Sequence, residues 1–199
     1  MAKEFWTAVR ERRSLYALSK QSPISDARIQ EIVEEAVKHT PSSFNSQSAR
    51  LVLLLGEQHN KLWDITTEVL KGIVPANQFE PTQQKMDAFR GAYGTVLFFE
   101  DKSVIEGLQA SFPSYQDKFP IWSHHTSAMH QFVVWTGLES EGLGASLQHY
   151  NPIIDEKVKA EWNLPASWSL EAQLPFGTPV APAGEKQFKP LEERIKVFS

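Results

Sequence analysis

The chain has 199 residues, a formal net charge of −4 and no cysteine. Its length suits one domain with a proper core, and its 41% hydrophobic and 22% charged residues are ordinary for a soluble protein. The missing cysteines exclude a disulfide scaffold, a thiol nucleophile and Cys-ligated zinc or iron–sulfur clusters, so any redox chemistry needs a bound cofactor. No run of Lys and Arg is long enough to neutralise a nucleic-acid backbone. The opening stretch MAKEFWTAVRERRS lacks the apolar core of a signal peptide, and no window nears the roughly 18 apolar residues of a membrane span. A cytoplasmic chain with no membrane partner is expected. No repeat or linker divides it, which predicts a single domain over 1–199.

In chain order, FWTAVRERR reads as a first short helix with Phe5, Val9, Trp6 and Ala8 facing inward. Ser25 or Asp26 caps a second helix, in which Ile29, Ile32, Val33, Ala36 and Val37 repeat at helical spacing. Pro41 disfavours helical geometry at Thr40 and ends it. RLVLLLG is a buried strand stopped by Gly56, and a third helix is predicted from about Asn60 to Lys71. Residues 72 to 93 are mixed, with the makings of a mobile helical cover. GTVLFFED is a second buried strand. SFPSYQDKFPIW is broken by Pro113 and Pro120, and SHHTSAMHQFVVWTGLESEG is the longest helix, apolar over much of its circumference. GASLQHY reads as a third strand, Pro152 to Trp162 as a helix and WSLEAQLPFG as a fourth strand. The terminal alternation of Ile195, Val197 and Phe198 needs a sheet to join, its own or a partner's. The sum is an α+β domain with helices on both faces of a sheet.

Four stretches carry candidate chemistry. Arg12, Arg13 and Ser14 place two guanidinium forks beside a hydroxyl, a set that matches phosphate oxygens, although so short a basic run more often just finishes a solvated helix face. Ser42, Ser43, Asn45, Ser46, Gln47 and Ser48 outnumber what a helix stop requires. Amides combine donor and acceptor, as the edge of a heterocycle demands, and both readings stay open. In EGLGASLQHYNP, Gly142 and Gly144 support a tight turn and close backbone approach, with Gln148 and His149 at the strand's end. In the tail, Lys186, Lys189 and Arg194 offer further cations. His124, His125 and His130 do not stack at i, i+4, so no metal site is expected, and no G-x-S-x-G marks a hydrolase.

Taken in this order, RRS, PSSFNSQ, GLG and FGTP…EKQFKP resemble the nitroreductase family of FMN-dependent oxidoreductases along nearly the whole chain. GTVLFFED, LQHYNP and KPLEERIKVF look most like its subgroup named for a yeast fatty-acid-repression mutant, which includes bacterial nitroreductases. The resemblance implies a three-layer α-β-α sandwich with a mixed, mainly antiparallel sheet, built as an intertwined homodimer with two FMN sites at its interface. It implies ping-pong hydride transfer from NADH or NADPH through flavin N5 to a small aromatic acceptor, a nitroaromatic or a quinone, with no catalytic side chain. By the same resemblance, Arg12, Arg13 and Ser14 hold the FMN phosphate and ribityl chain, with Lys186 and Lys189 as added cations. Ser42, Ser43, Asn45 and Gln47 meet the flavin of the other subunit, while Leu147, Gln148 and His149 pass near its N5. Phe132, Val133 and Trp135 make dimer contacts, and the terminal apolar strand crosses to the partner. The chain departs from many relatives at Ser48-Ala49-Arg50, after the loop Gln, and at His130-Gln131 in the long helix. The subgroup's name leaves one alternative of another class, a flavin-binding regulator of lipid or stress signalling with little turnover.

Overall fold

A computed structural model describes residues 2–199. Helix α1 (Phe5–Glu11) starts where the Glu4 carboxylate accepts the N–H groups of Trp6 and Thr7. Only Ala8 of α1 is buried; Phe5 and Trp6, expected inward, pair edge to face on the outside. The small Ala8 makes the buried contact of α1 and lets it lie close on the long helix. The two-residue strand β1 (Leu18–Ser19) follows. Helix α2 (Asp26–His39) is capped by Ser25 and buries Ile29, Ile32, Val33 and Ala36, with Val37 turned out to solvent.

Strand β2 (Ala49–Leu55) runs directly into α3 (Gly56–Lys71), four residues earlier than its periodicity suggested, through a left-handed Gly56. Helix α4 (Glu80–Arg90) occupies the segment expected to form a mobile cover, but Met86 and Phe89 anchor it in the core. Strand β3 (Gly94–Asp101) is buried at every position. Helix α5 (Lys102–Ser111) is an addition to the predicted elements, begun by the Asp101 carboxylate on the Ser103 N–H. Helix α6 (Phe119–Ser140) starts before the predicted Ser123 because Pro120 sits favourably in its first turn. The third predicted strand shrinks to β4 (Gly144–Ala145) plus isolated bridges. Helix α7 (Asp155–Glu161) is shorter than Pro152–Trp162, and β5 (Trp168–Pro179) closes the sheet.

The strand order is β1-β5-β3-β2, with β4 also on β5, and every ladder is antiparallel. Among the described residues the one parallel pairing is the bridge Ser14↔Ala145. Alternation along β3 splits the core: Val96 and Phe98 face α2 and α6, while Leu97 and Phe99 face α3, α4 and α7. Helices thus cover both faces in three layers. β2 is an edge strand, so the run read as buried is only half-buried. The register of β3 on β5 shifts from Phe98↔Ala172 to Phe99↔Leu170, leaving Glu171 as a bulge residue. Among the described residues the tail beyond Val180 joins no strand, and it exposes Phe188, Leu191, Ile195, Val197 and Phe198. Among the described residues, no helix is long and apolar enough to cross a membrane.

Candidate functional site

The predicted site residues fall at the two ends of the sheet. At one end, α1 stops at Arg12 and the chain turns extended. Ser14 bridges Ala145, and the Leu15 N–H donates to the Ala145 carbonyl at 2.9 Å, so the RRS and GASLQHY stretches become neighbours. The Arg12 guanidinium lies 4.3 Å from the centre of the Trp135 ring. Partial burial draws its pKa below the ordinary value, yet an arginine stays charged throughout the working range. Arg13 lines a cavity of about 360 Å³ together with Lys3, Glu11, Glu139 and the backbone turn after Pro179. Lys3 pairs with both Glu11 (2.8 Å) and Glu139 (2.7 Å). The nearby acids therefore have a partner, and among the described residues neither Arg12 nor Arg13 is in an ion pair.

Two glycines shape this end. Gly142 adopts φ +88° in the turn out of α6, a conformation that favours glycine. A side chain on Gly144 would meet Leu15 and Pro179 at 2.8 Å, so the close approach expected there is by the chain itself. Gln148 also differs from expectation. It is buried, its backbone exchanges both hydrogen bonds with Gln173 (2.7 and 2.9 Å), and its amide donates to Ser146 Oγ. Because Ser146 and Gln148 bond to β5, strand alternation turns the backbone groups of Leu147 and His149 away from it.

The other end holds the loop 42–48. Phe44, Asn45 and Gln47 all have φ near +50°, in the left-handed region that non-glycine residues rarely occupy. The loop is over-determined by its own hydrogen bonds. Asn45 N–H donates to the Ser42 carbonyl, Ser46 N–H to the Ser43 carbonyl and Gln47 N–H to Ser42 Oγ, each at 3.0 Å. Arg50 donates to the Gln47 carbonyl at 2.7 Å while anchored on Asp101. Ser48 is buried and donates to Glu100 at 2.5 Å. Phe44 packs among Phe112, Tyr115, Phe119 and Trp122, which ties the aromatic segment 111–122 to the loop. Ser42 and Ser48 therefore hold the loop's shape, whereas the side chains of Ser43, Asn45 and Gln47 make no hydrogen bond among the described residues. Beside them lies a cavity of about 310 Å³, lined by Ser42, Gln47, Arg50, His130 and Trp168. His130 places Nδ1–H on the Thr126 carbonyl at 2.9 Å, and burial lowers its pKa.

One chain does not unite the two ends. Ser14 and Ala145 lie level with Phe176, Gly94 and Leu55, whereas the loop leads into Ala49, level with Glu100 and Ser169. Six strand steps of about 3.3 Å separate the levels by roughly 20 Å. Lys186 and Lys189 are exposed in the tail and do not line the Arg13 cavity; Lys186 lies over the Phe188 ring. Trp135, expected at a dimer contact, is buried in the chain's own core, whereas Phe132 and Val133 are exposed. Sequence reading missed Trp135 as the platform under Arg12 and Phe44 as the hub of an aromatic cluster. Their only local signal is a high density of rings.

A family model described as the Nitroreductase family matches residues 9–178. HBN1 of Saccharomyces cerevisiae is 42% identical over 190 residues, 94% of this chain and 93% of that protein. The nitroreductase FRM2 of the same yeast is 33% identical, covering 92% of each. The solved structure of nitroreductase CinD from Lactococcus lactis in complex with nicotinic acid superposes with a TM-score of 0.91 at 45% identity. That likeness covers 98% of this chain and all of CinD, which has also been solved with 4-nitrophenol.

Proposed function

Because this chain belongs to the nitroreductase family, we propose that it is an FMN-dependent NAD(P)H oxidoreductase that reduces nitroaromatic and quinone-type acceptors as a homodimer. One observation carries the reading: two unpaired arginines and a loop of free amides lie at opposite ends of one sheet. A two-fold pairing of chains would set the loop of one copy against the arginine end of the other. The exposed Phe132 and Val133 of α6 and the apolar tail supply the surface such a pairing needs.

The residues fit the cofactor. Arg12, Arg13 and Ser14 would hold its phosphate and ribityl chain, joined by Lys186 and Lys189 once the tail docks. Ser43, Asn45 and Gln47 would meet the ring system from the other copy, on a loop shaped by Ser42. The backbone of Leu147 and His149, turned away from β5, would approach the ring, with Gln148 fixing the strand between them. FMN, when bound, would supply the two-electron chemistry between NADH or NADPH and the acceptor. Each would use the same pocket in turn, and no side chain need bond covalently to either. The complexes of CinD with 4-nitrophenol and nicotinic acid support a pocket for flat aromatic molecules.

The test is direct. The purified protein should carry flavin absorbance, bleach with NADH or NADPH and recover its colour on adding a nitroaromatic. Arg13→Ala should weaken FMN binding roughly tenfold or more, the worth of about 1.5–3 kcal/mol for a hydrogen bond to a charged group. Unchanged affinity in a fluorescence titration would remove Arg13 from this role. Full flavin occupancy with negligible turnover would remove the enzyme reading.

A further inference from the structure

A third cavity, of about 330 Å³, lies between α5, α6 and the β-bulge, lined by none of the residues proposed to touch FMN. Glu100 and Glu171 of the sheet, Ile105 and Glu106 of α5, and Pro120 and His124 of α6 line it. Glu100 is only 1% exposed. One of its oxygens accepts from Ser48, but Oε1 is buried with no hydrogen-bond partner. Buried polar atoms are rarely left so, and an acceptor-only carboxylate is the most demanding case.

The bulge brings the second carboxylate. Ala172, Leu174 and Phe176 face α6, so plain alternation would turn residue 171 to the opposite face. The register shift instead leaves Glu171 on the α6 side, where it meets His124 Nδ1 at 3.0 Å. Bulges of this kind commonly re-aim a side chain beside a site. Burial, aided by the charge of Glu171, pushes Glu100 up to about 7; burial likewise raises Glu171, with Asp155 adding to the effect. Lys102 also lines the cavity, yet among the described residues it forms no ion pair with these acids.

The donor set selects the ligand. No group of three or more His, Asp or Glu among the described residues is arranged to hold a metal ion. A planar cation with several N–H groups suits paired carboxylates, because it can donate two parallel hydrogen bonds without a coordination geometry. Ile105 and Pro120 give the same cavity apolar walls. We propose that this cavity binds a small organic cation, an amidinium or guanidinium on a compact apolar body, with Glu100 and Glu171 receiving its N–H groups.

The proposal is independent of the flavin reading, and its test reads binding, not turnover. Benzamidinium, one ring with one amidinium, is titrated calorimetrically into the full-length protein as purified. Saturable binding at one site per chain is expected, at least tenfold weaker in Glu171→Gln. Neutral benzamide, of nearly the same shape, should not bind. Glu100→Gln should weaken binding to a similar degree; should it fail to fold, the more accessible Glu171→Gln still decides the matter. Equal binding of benzamide, an unchanged Kd in Glu171→Gln, or no saturable binding in the millimolar range would overturn the proposal.

Discussion

The two ends of the sheet are built on opposite plans. At the arginine end the backbone is ordinary: an extended strand segment, a two-residue ladder and a glycine where the turn requires one. What is unusual there is charge, two guanidinium groups without carboxylate partners, one of them stacked on Trp135. At the loop end the side chains of residues 42–48 are neutral and the backbone is unusual, with left-handed residues at 44, 45 and 47 held by hydrogen bonds from backbone N–H groups and from Arg50. Strain of this kind persists only where surrounding contacts over-determine it. The contrast teaches two ways of building a polar surface: free charge on a relaxed backbone, and neutral amides on a shaped one; under the proposed function the first would meet an anion and the second a heterocycle edge.

The strongest way to break this contrast is at the tail, which leaves from the arginine end. Deleting residues 181–199 removes Lys186, Lys189 and the exposed Phe188, Leu191, Ile195, Val197 and Phe198. The shortened chain should sediment as a monomer at micromolar concentration and lose its flavin. A stable, yellow dimer would show that the two ends meet without the arm.

A smaller effect separates the ends by pH. Each buries a titratable group, and the two shift in opposite directions. His59, bonded to Thr95 near the arginine end, is lowered by burial to about 4. Glu100, bonded to Ser48 at the loop end, is raised by burial to about 7. For Glu100 the folded state holds its proton more tightly than the unfolded state. Its contribution is therefore full below pH 4.5 and lost as pH rises towards 7, by up to about 3 kcal/mol. His59 acts in the reverse sense, costing stability as pH falls from 6.5 towards 4. Urea denaturation at pH 5 and pH 7.5 should show Glu100→Gln gaining at the higher pH relative to the parent chain. An identical pH dependence in both proteins would mean that Glu100 titrates normally.

The smallest effect tests backbone strain alone. Gln47→Gly should leave stability unchanged or raise it by up to about 1 kcal/mol, because relief of the left-handed cost offsets the added freedom of the unfolded chain. Ser14→Gly, on extended backbone, should lower it by about 0.5–1 kcal/mol. Equal losses at both positions would show that the loop is not strained.

Local signals in the sequence reached far. Ser25 capping α2, Pro41 ending it, the apolar spacing of Ile29, Ile32, Val33 and Ala36, and the uninterrupted run of β3 all act within a few residues, and each took the form its chemistry dictates. The groups of candidate residues were legible too, since guanidinium forks and clustered amides advertise themselves by type. Their arrangement was not. That β2 lies at the edge while β3 is central depends on strand order, which no local pattern encodes.

The inward reading of Phe5 and Trp6 failed because the face a short helix buries is chosen by its neighbour, here α6 against Ala8. The state of Glu100 depends on Ser48 and Glu171, respectively 52 and 71 positions away along the chain. The sequence by itself determined most of the elements, the capping of α2 and the chemical kinds of group on offer, through interactions of short range. The tertiary structure alone decided which groups are buried, which stay unpaired and that the two groups of candidate residues lie apart, because burial and proximity are properties of residues remote in sequence.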